Sequence, residues 1–325
     1  MSLQNKVEKL NNSPLGDGGK TVKILAPATI ANLVCGFDIL GLAINSPQDE
    51  MELMLSNEPG IRIKHIDGYN LPAEPAKNVA GAALIALMEE YEDKTIGFDL
   101  TINKIIKPGS GLGSSAASSA GAVVGANQLL NNHFSKPDLV RFAMNGEKVA
   151  SGVKHADNIT PCIYGGVTLI RSIFPLDIIE LSAPPMYVTV VHPQIEVKTS
   201  DARQILRKEV LLKDAIKQWG NIAGLVAGFL KSDYELIGRS LEDVIIEPIR
   251  SILIPGFDDI KKFCKEAGAL GGGISGSGPS VFMLSKEESI ARDVEKVMKD
   301  IYNQIGVDYH THVTTVNNAG VSCEW

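Results

Sequence analysis

The sequence predicts an α+β protein arranged as two domains, and three observations lead there. The chain has 325 residues, more than a single hydrophobic core usually serves. Its apolar residues change period repeatedly, alternating in some stretches and stepping by three and four in others. Residues 98–126 then place an alternating run, a turn rich in Gly and Ser, and a run of small helix-compatible residues end to end.

Composition narrows the class of protein. Hydrophobic residues make up 44% and charged residues 21% of the chain, as in ordinary globular proteins. A net charge of −7 argues against a general nucleic-acid binder, which needs a basic face. It leaves room for a small anionic ligand in a locally positive pocket. Cys35, Cys162, Cys264 and Cys323 form no C-x-x-C pair and no zinc spacing. With no signal peptide read at the start, the expectation is a reducing, cytoplasmic setting. No apolar run reaches the roughly 18–20 residues of a membrane span.

Taken in order, residues 1–20 read as a flexible polar leader. Val22, Ile24 and Leu25 predict a short strand ending at Pro27. In P-A-T-I-A-N-L-V-C-G-F-D-I-L-G, Asn32 and Asp38 sit among apolar residues. They either satisfy a local turn or line a pocket. Alternation predicts strands over 50–56 and around Ile61 and Ile63, and helical spacing predicts a helix over 77–91. Phe98, Leu100 and Ile102 lead a strand into K-P-G-S-G-L-G-S-S-A-A. Gly109, Gly111 and Gly113 let that backbone curl, and a helix dipole behind it makes the junction an anion cradle. Neither the Walker pattern nor G-x-G-x-x-G is present, because Ser114 stands at the decisive position. The small residues Gly113, Ala117, Gly121 and Gly125 serve close helix packing equally well.

Ser135 predicts the N-cap of a helix over 137–150 that carries Glu147. H-A-D-N follows, with His155, Asp157 and Asn158 together. Strands are expected at 166–171, 177–181 and 186–192. Thr199-Ser200-Asp201 opens a helix with Arg203 in its first turns. Leu212, Ile216, Trp219, Ala223, Val226 and Leu230 predict a long helix packed into the core. Arg250 lies in E-P-I-R-S-I-L-I-P-G-F, and G-G-G-I-S-G-S-G-P-S follows at 271–280. A strand at 280–284, a helix at 287–302 and a strand at 307–315 close the chain. His310 and His312 alternate on that last strand without a third metal ligand nearby.

The set and order of three of these segments are specific. P-A-T-I-A-N-L-V-C-G-F-D-I-L-G, K-P-G-S-G-L-G-S-S-A-A and G-G-G-I-S-G-S-G-P-S resemble the three motifs of the GHMP small-molecule kinases. H-A-D-N, T-S-D-A-R-Q-I-L and E-P-I-R-S-I-L-I-P-G-F are similar to the homoserine kinase branch, and the resemblance spans about residues 21–320. It implies an N-terminal domain like the second domain of ribosomal protein S5 over 21–170 and a ferredoxin-like domain over 171–325. It also implies a homodimer, with ATP, Mg²⁺ and L-homoserine as ligands and no nucleic acid or membrane partner.

By the same resemblance Asn78 lies by the adenine. Pro108, Gly109, Ser110, Gly111, Leu112, Gly113, Ser114, Ser115, Ala116 and Ala117 wrap the ATP phosphates. Ser114 or Ser115 holds Mg²⁺ with Glu147. Asn32, Asp38, His155, Asp157 and Asn158 line the amino-acid pocket, and Arg203 and Arg250 bind its carboxylate. Thr199 sits near the reacting centre, where Asn158 orients the hydroxyl and Asp157 is the lesser alternative as a general base. One departure stands out: the family pattern is A-N-L-G-x-G-F-D, and Val34 replaces its first glycine. If that position requires a positive φ, Val34 is strained.

Overall fold

The computed structural model describes residues 19–197 and 199–325. The first half of the chain lays down β1 (Thr21–Ala31), β2 (Leu40–Ser56), β3 (Gly60–Asp67), α1 (Val79–Glu90) and β4 (Gly97–Asn103). Then come α2 (Ser114–Leu129), α3 (Lys136–Ser151), α4 (Ile159–Tyr164), β5 (Val167–Ile173) and β6 (Leu176–Leu181). The second half contributes β7 (Tyr187–Pro193), α5 (Thr199–Gln204), α6 (Leu212–Lys231), α7 (Tyr234–Ser240), α8 (Glu247–Arg250) and α9 (Phe257–Glu266). It ends with β8 (Gly271–Ile274), β9 (Val281–Ser285), α10 (Glu288–Ile305), β10 (Tyr309–Thr315) and β11 (Ser322–Glu324).

Two sheets organise these elements. The first has seven strands: β11-β1-β2-β4-β3 in a row, with β5 joining β2 and β6 joining β5. Only the β3–β4 pairing is parallel. The second sheet is antiparallel, in the order β10-β7-β9-β8. The change of sheet falls between Leu181 and Tyr187, and Ser322–Glu324 returns to pair with β1. Among the described residues, no helix is long and apolar enough to cross a membrane.

Local chemistry explains most boundaries. Ser135 and Asp138 form a reciprocal capping box at the start of α3. Asn78 accepts from the Ala80 and Gly81 amides, so α1 starts at Val79, behind a short 3₁₀ turn over Pro75–Lys77. On α2, the small-residue stripe does pack: a Cβ at Gly121 would stand 2.0 Å from Met51 and one at Gly125 2.2 Å from Ile24. Helix and sheet are in contact there, which is why β1, β2 and α2 share one core.

Two expectations are corrected. The first strand does not stop at Pro27; it runs on to Ala31, with an irregularity between Pro27 and Thr29 that absorbs the proline. The 212–230 stripe is not in the core either. Leu212, Ile216, Trp219 and Leu230 are exposed, and α6 buries a different face through Ala215, Gln218, Leu225, Gly228 and Phe229. Periodicity reports that a face is apolar, not what covers it.

Candidate active site

The glycine-rich turn and α2 form one wall of a cleft of about 860 Å³. Gly109, Gly111 and Gly113 have φ values of +76°, +83° and +67°. Only glycine reaches these at no steric cost. Gly111 also admits a second segment: a Cβ there would lie 2.6 Å from the Ser275 carbonyl and 2.8 Å from that of Gly278. Ser275 donates its hydroxyl to the Gly111 carbonyl at 2.6 Å, and the Ser280 amide donates to the Ser110 carbonyl at 3.2 Å. The third glycine-rich segment therefore clamps the second.

The serines at the start of α2 differ in what they face. Ser114 donates to the Ile106 carbonyl at 2.8 Å, whereas Ser115 donates to Glu147 Oε2 at 2.6 Å. Beneath them Lys104 is buried, paired with Asp49 and bonded to the Ser114 carbonyl and to Ser118 Oγ. Asp49 in turn accepts the Ile105 and Ile106 amides. This buried pair secures the strand-to-turn exit, and breaking one partner would leave an uncompensated buried charge.

Across the cleft, the chain turns left-handed at Asn32, Leu33 and Val34, with φ of +73°, +41° and +67°, and again at Asp38, with +61°. Val34 thus has the positive φ at which a β-branched residue is a steric outlier. The second half of the chain holds the turn. Asn32 Nδ2 donates to the Gly276 carbonyl at 2.8 Å, while its Oδ1 accepts the Asp38 amide at 3.1 Å. Gln218 donates to the Cys35 carbonyl at 2.8 Å and accepts the Val244 amide at 3.1 Å.

Asp38 accepts two bonds from Arg203, at 2.6 and 3.2 Å. Arg250 is buried, donating to the carbonyls of Ala202 and Gly276. Burial, with Arg203 close by, pulls its pKa down to about 10, so it stays charged at neutral pH. Both guanidinium groups lie over the Phe37 ring, at 5.4 Å for Arg203 and 4.9 Å for Arg250. Ring quadrupole attraction of this kind steadies two like charges side by side. His155 Nε2 and Arg203 Nε are buried without a protein partner. Burial, then Arg203, lowers the His155 pKa, which keeps the ring neutral.

Asp157 is buried in the same cleft, and burial followed by the nearby Asp38 and Glu147 charges pushes its carboxyl up to about 7. Asn158 accepts the Thr29 hydroxyl on Oδ1 at 2.8 Å, which turns its amide nitrogen toward other partners. The side chain of Thr199 lies outside the described residues.

Nearly all the residues singled out from the sequence meet here: Asn32, Asp38, His155, Asp157, Asn158, Arg203, Arg250, Glu147 and most of the glycine-rich turn line one cleft. Asn78 does not; its amide is spent on capping α1 and on the Pro72 carbonyl, and its neighbour Val79 lines the cleft with Leu71. Sequence reasoning passed over Phe37, Thr29, Lys104 and His192. A lysine inside I-N-K-I-I was a signal for Lys104, but His192 sits in a strand pattern and offered none. His192 is buried at the cleft wall with Nδ1 3.2 Å from Ser280 Oγ, and burial lowers its pKa to about 4. His310 stands opposite it on β10, yet among the described residues no group of three His, Cys, Asp or Glu could hold a metal ion.

The comparisons with known proteins agree with this geometry. The family model for the GHMP kinases N terminal domain matches residues 78–166, and that for the GHMP kinases C terminal matches 225–304. The chain belongs to the GHMP kinases. Among curated members of the GHMP kinases, a homoserine kinase of Chloroherpeton thalassium is 44% identical over 298 residues, covering 88% of this chain and 93% of that one. One of Methanocella arvoryzae is 40% identical over 296 residues, covering 91% and 95%. A crystal structure of homoserine kinase from Cytophaga hutchinsonii superposes with a TM-score of 0.90 at 46% identity, covering 96% of this chain and all of that one (100%). The GHMP kinase fold persists in an L. major mevalonate kinase solved with R-mevalonate, at a TM-score of 0.70 and 15% identity, covering 95% and 100%.

Proposed function

We propose that this chain transfers the γ-phosphoryl group of ATP to the side-chain hydroxyl of L-homoserine, in the cytoplasm, giving O-phospho-L-homoserine for threonine synthesis. One observation carries the reading. A cation pair, an acidic acceptor and an unpartnered neutral imidazole converge on the wall opposite an anion-binding turn. Homoserine is a zwitterion with a hydroxyl, and the Arg203–Asp38 pair is its electrostatic counterpart. The substrate carboxylate goes to Arg203 and Arg250, whose planar donors suit both of its oxygens. The ammonium goes to Asp38, and His155 and Asn32 complete the pocket.

The triphosphate lies along Pro108–Ala117, where backbone amides and the start of α2 face the cleft. Adenine packs by Leu71 and Val79 rather than on the Asn78 amide. The oxygen ligands Ser115 and Glu147 fit Mg²⁺, and the raised Asp157 carboxyl supports this, since it registers a surplus of negative charge around Glu147. When bound, that ion neutralises charge building up on the phosphate oxygens. Ser114 is the weaker candidate because its hydroxyl is engaged with Ile106.

Asn158, its flip set by Thr29, directs an amide N–H at the hydroxyl oxygen and lines it up with the phosphorus. The proton leaves to phosphate or solvent in the main reading. A specific observation also favours Asp157 as its acceptor: a carboxyl titrating near neutrality is suited to general-base work. Thr199 is placed near the reacting centre by the family resemblance alone.

A coupled ADP-release assay with homoserine, mevalonate, galactose and threonine tests the proposal. Release with homoserine well above the other three is expected. Release with none of them, or preferentially with mevalonate, contradicts it.

A further inference from the structure

The exposed seam of α6 is organised as a surface for a second copy of this chain. Leu212, Ile216, Trp219, Ala223, Val226 and Leu230 follow a strict four-three spacing. This is the a/d pattern of a helix whose partner is another helix. Leu212, Ile216, Trp219 and Leu230 remain 67%, 57%, 59% and 60% exposed, Ala223 is exposed and Val226 is half-buried. Together with Val210 and Leu211 just before the helix, these side chains offer on the order of 700 Å², against about 800 Å² per partner in a standard interface. An apolar patch of that size is uncommon on a monomer.

The order of side chains along the seam says which partner fits. The stripe is a palindrome in size about Asn221: Leu212 mirrors Leu230, Ile216 mirrors Val226, and Trp219 mirrors Ala223. A two-fold axis through that point makes every layer one a residue facing one d residue, which is the layering of two antiparallel helices. It also sets the largest side chain against the smallest. Gly220 lies beside them, and a Cβ placed there would meet nothing within 4 Å, so the indole of the facing helix finds a shallow hollow. Parallel pairing would instead stack Trp on Trp and Ala on Ala, a clash beside a void.

We infer that α6 pairs with α6 of a second copy, antiparallel and centred on Asn221, to form a two-fold dimer. The opposite face of α6 carries Gln218, whose amide holds the Cys35 carbonyl and the Val244 amide. The dimer helix is thus the same helix that buttresses the Asn32–Asp38 turn.

Analytical ultracentrifugation of the full chain tests this. The native protein is expected at twice 34.8 kDa at micromolar concentration. Ile216→Glu, at an exposed position, is expected to weaken association by at least about 100-fold, the order of cost for facing a charge against an apolar layer. Its far-UV circular dichroism should be unchanged. Adding Val226→Lys to that variant places Lys opposite Glu in the antiparallel register and should recover at least about tenfold. A native monomer overturns the inference, whether residues 1–18 cover the seam or nothing does. A dimer indifferent to Ile216→Glu overturns it as well. Loss without recovery in the double variant overturns the antiparallel register.

Discussion

The two turns that face each other across the cleft are built on opposite principles. The 107–117 turn puts its positive φ values on Gly109, Gly111 and Gly113. It bends without strain and needs its neighbours mainly for position. The 32–38 turn puts them on Asn32, Leu33, Val34 and Asp38, at a cost of roughly 1–2 kcal/mol for each non-glycine residue. That cost persists only where surrounding contacts over-determine the backbone. Those contacts come from the far half of the chain, through Gly276, Gln218 and Arg203. The phosphate wall is nearly autonomous, and the substrate wall exists only when both halves are assembled. The 275–280 segment joins the two, since it bonds to Ser110 and Gly111 on one side and to Asn32 and Arg250 on the other.

The largest expected effect breaks the phosphate wall where it touches the reacting centre. A Cβ at Gly113 would lie 1.9 Å from Thr29 Oγ1 and 3.0 Å from Asn158 Oδ1, besides being forced to φ +67°. Gly113→Ala is expected to lower kcat by 100-fold or more, on the order of 3 kcal/mol of lost positioning. Gly109→Ala meets nothing within 4 Å and has only its φ of +76° to overcome. Steady-state kinetics should show it at least tenfold milder, about 1.4 kcal/mol apart. Equal losses would mean that the turn acts as a strained unit rather than through Thr29 and Asn158.

On the substrate wall, Arg250→Ala removes a hydrogen-bonded charge, worth about 1.5–3 kcal/mol of substrate interaction. KM for homoserine should rise roughly 10- to 100-fold while KM for ATP moves little. Unchanged homoserine kinetics would take Arg250 out of the pocket.

A smaller effect separates the walls by pH. The Asp157 carboxyl is pushed up to about 7 in the folded state, above the roughly 3.9 of an unperturbed Asp. Between those values the native state keeps a proton that the unfolded chain has released, so stability falls as pH rises and the full penalty is present above 7. Asp157→Asn removes that penalty. Urea denaturation should find the variant gaining on wild type from pH 4 to 8, by about 1–4 kcal/mol. A gain independent of pH would show that Asp157 is not the group responsible. If Asp157 also takes the substrate proton, kcat falls in the same variant and the acid limb of the pH–rate profile near 7 disappears.

The smallest effect concerns Val34. Val34→Gly relieves a positive φ but gives up a buried side chain, two terms of about 1–3 kcal/mol that oppose one another. A net change in urea stability within about 1 kcal/mol is expected. A loss well beyond that would mean the turn is not strained at this residue.

What could be read in advance follows from the range of the interactions. The helix starts at Ser135 and behind Gly113 are local, so capping and turn chemistry exposed them. The three motifs were legible as a set in fixed order, which no single segment supported. Phe37 between two arginines, and Thr29 against Asn158, depend on residues more than a hundred positions apart, and periodicity is blind to such pairs. The return of Ser322–Glu324 to β1 is equally long-range. Helix α6 gives the sharpest lesson, because its spacing was read correctly and its burial was not.

A structure with a non-hydrolysable ATP analogue and L-homoserine bound together tests the central claim most directly. The homoserine carboxylate should lie on Arg203 and Arg250 and its ammonium on Asp38. The hydroxyl should be at Asn158, facing a γ-phosphate held by Gly109–Ser115. Homoserine seated away from the Arg203–Asp38 pair, or a triphosphate that leaves the glycine-rich turn, would contradict the account.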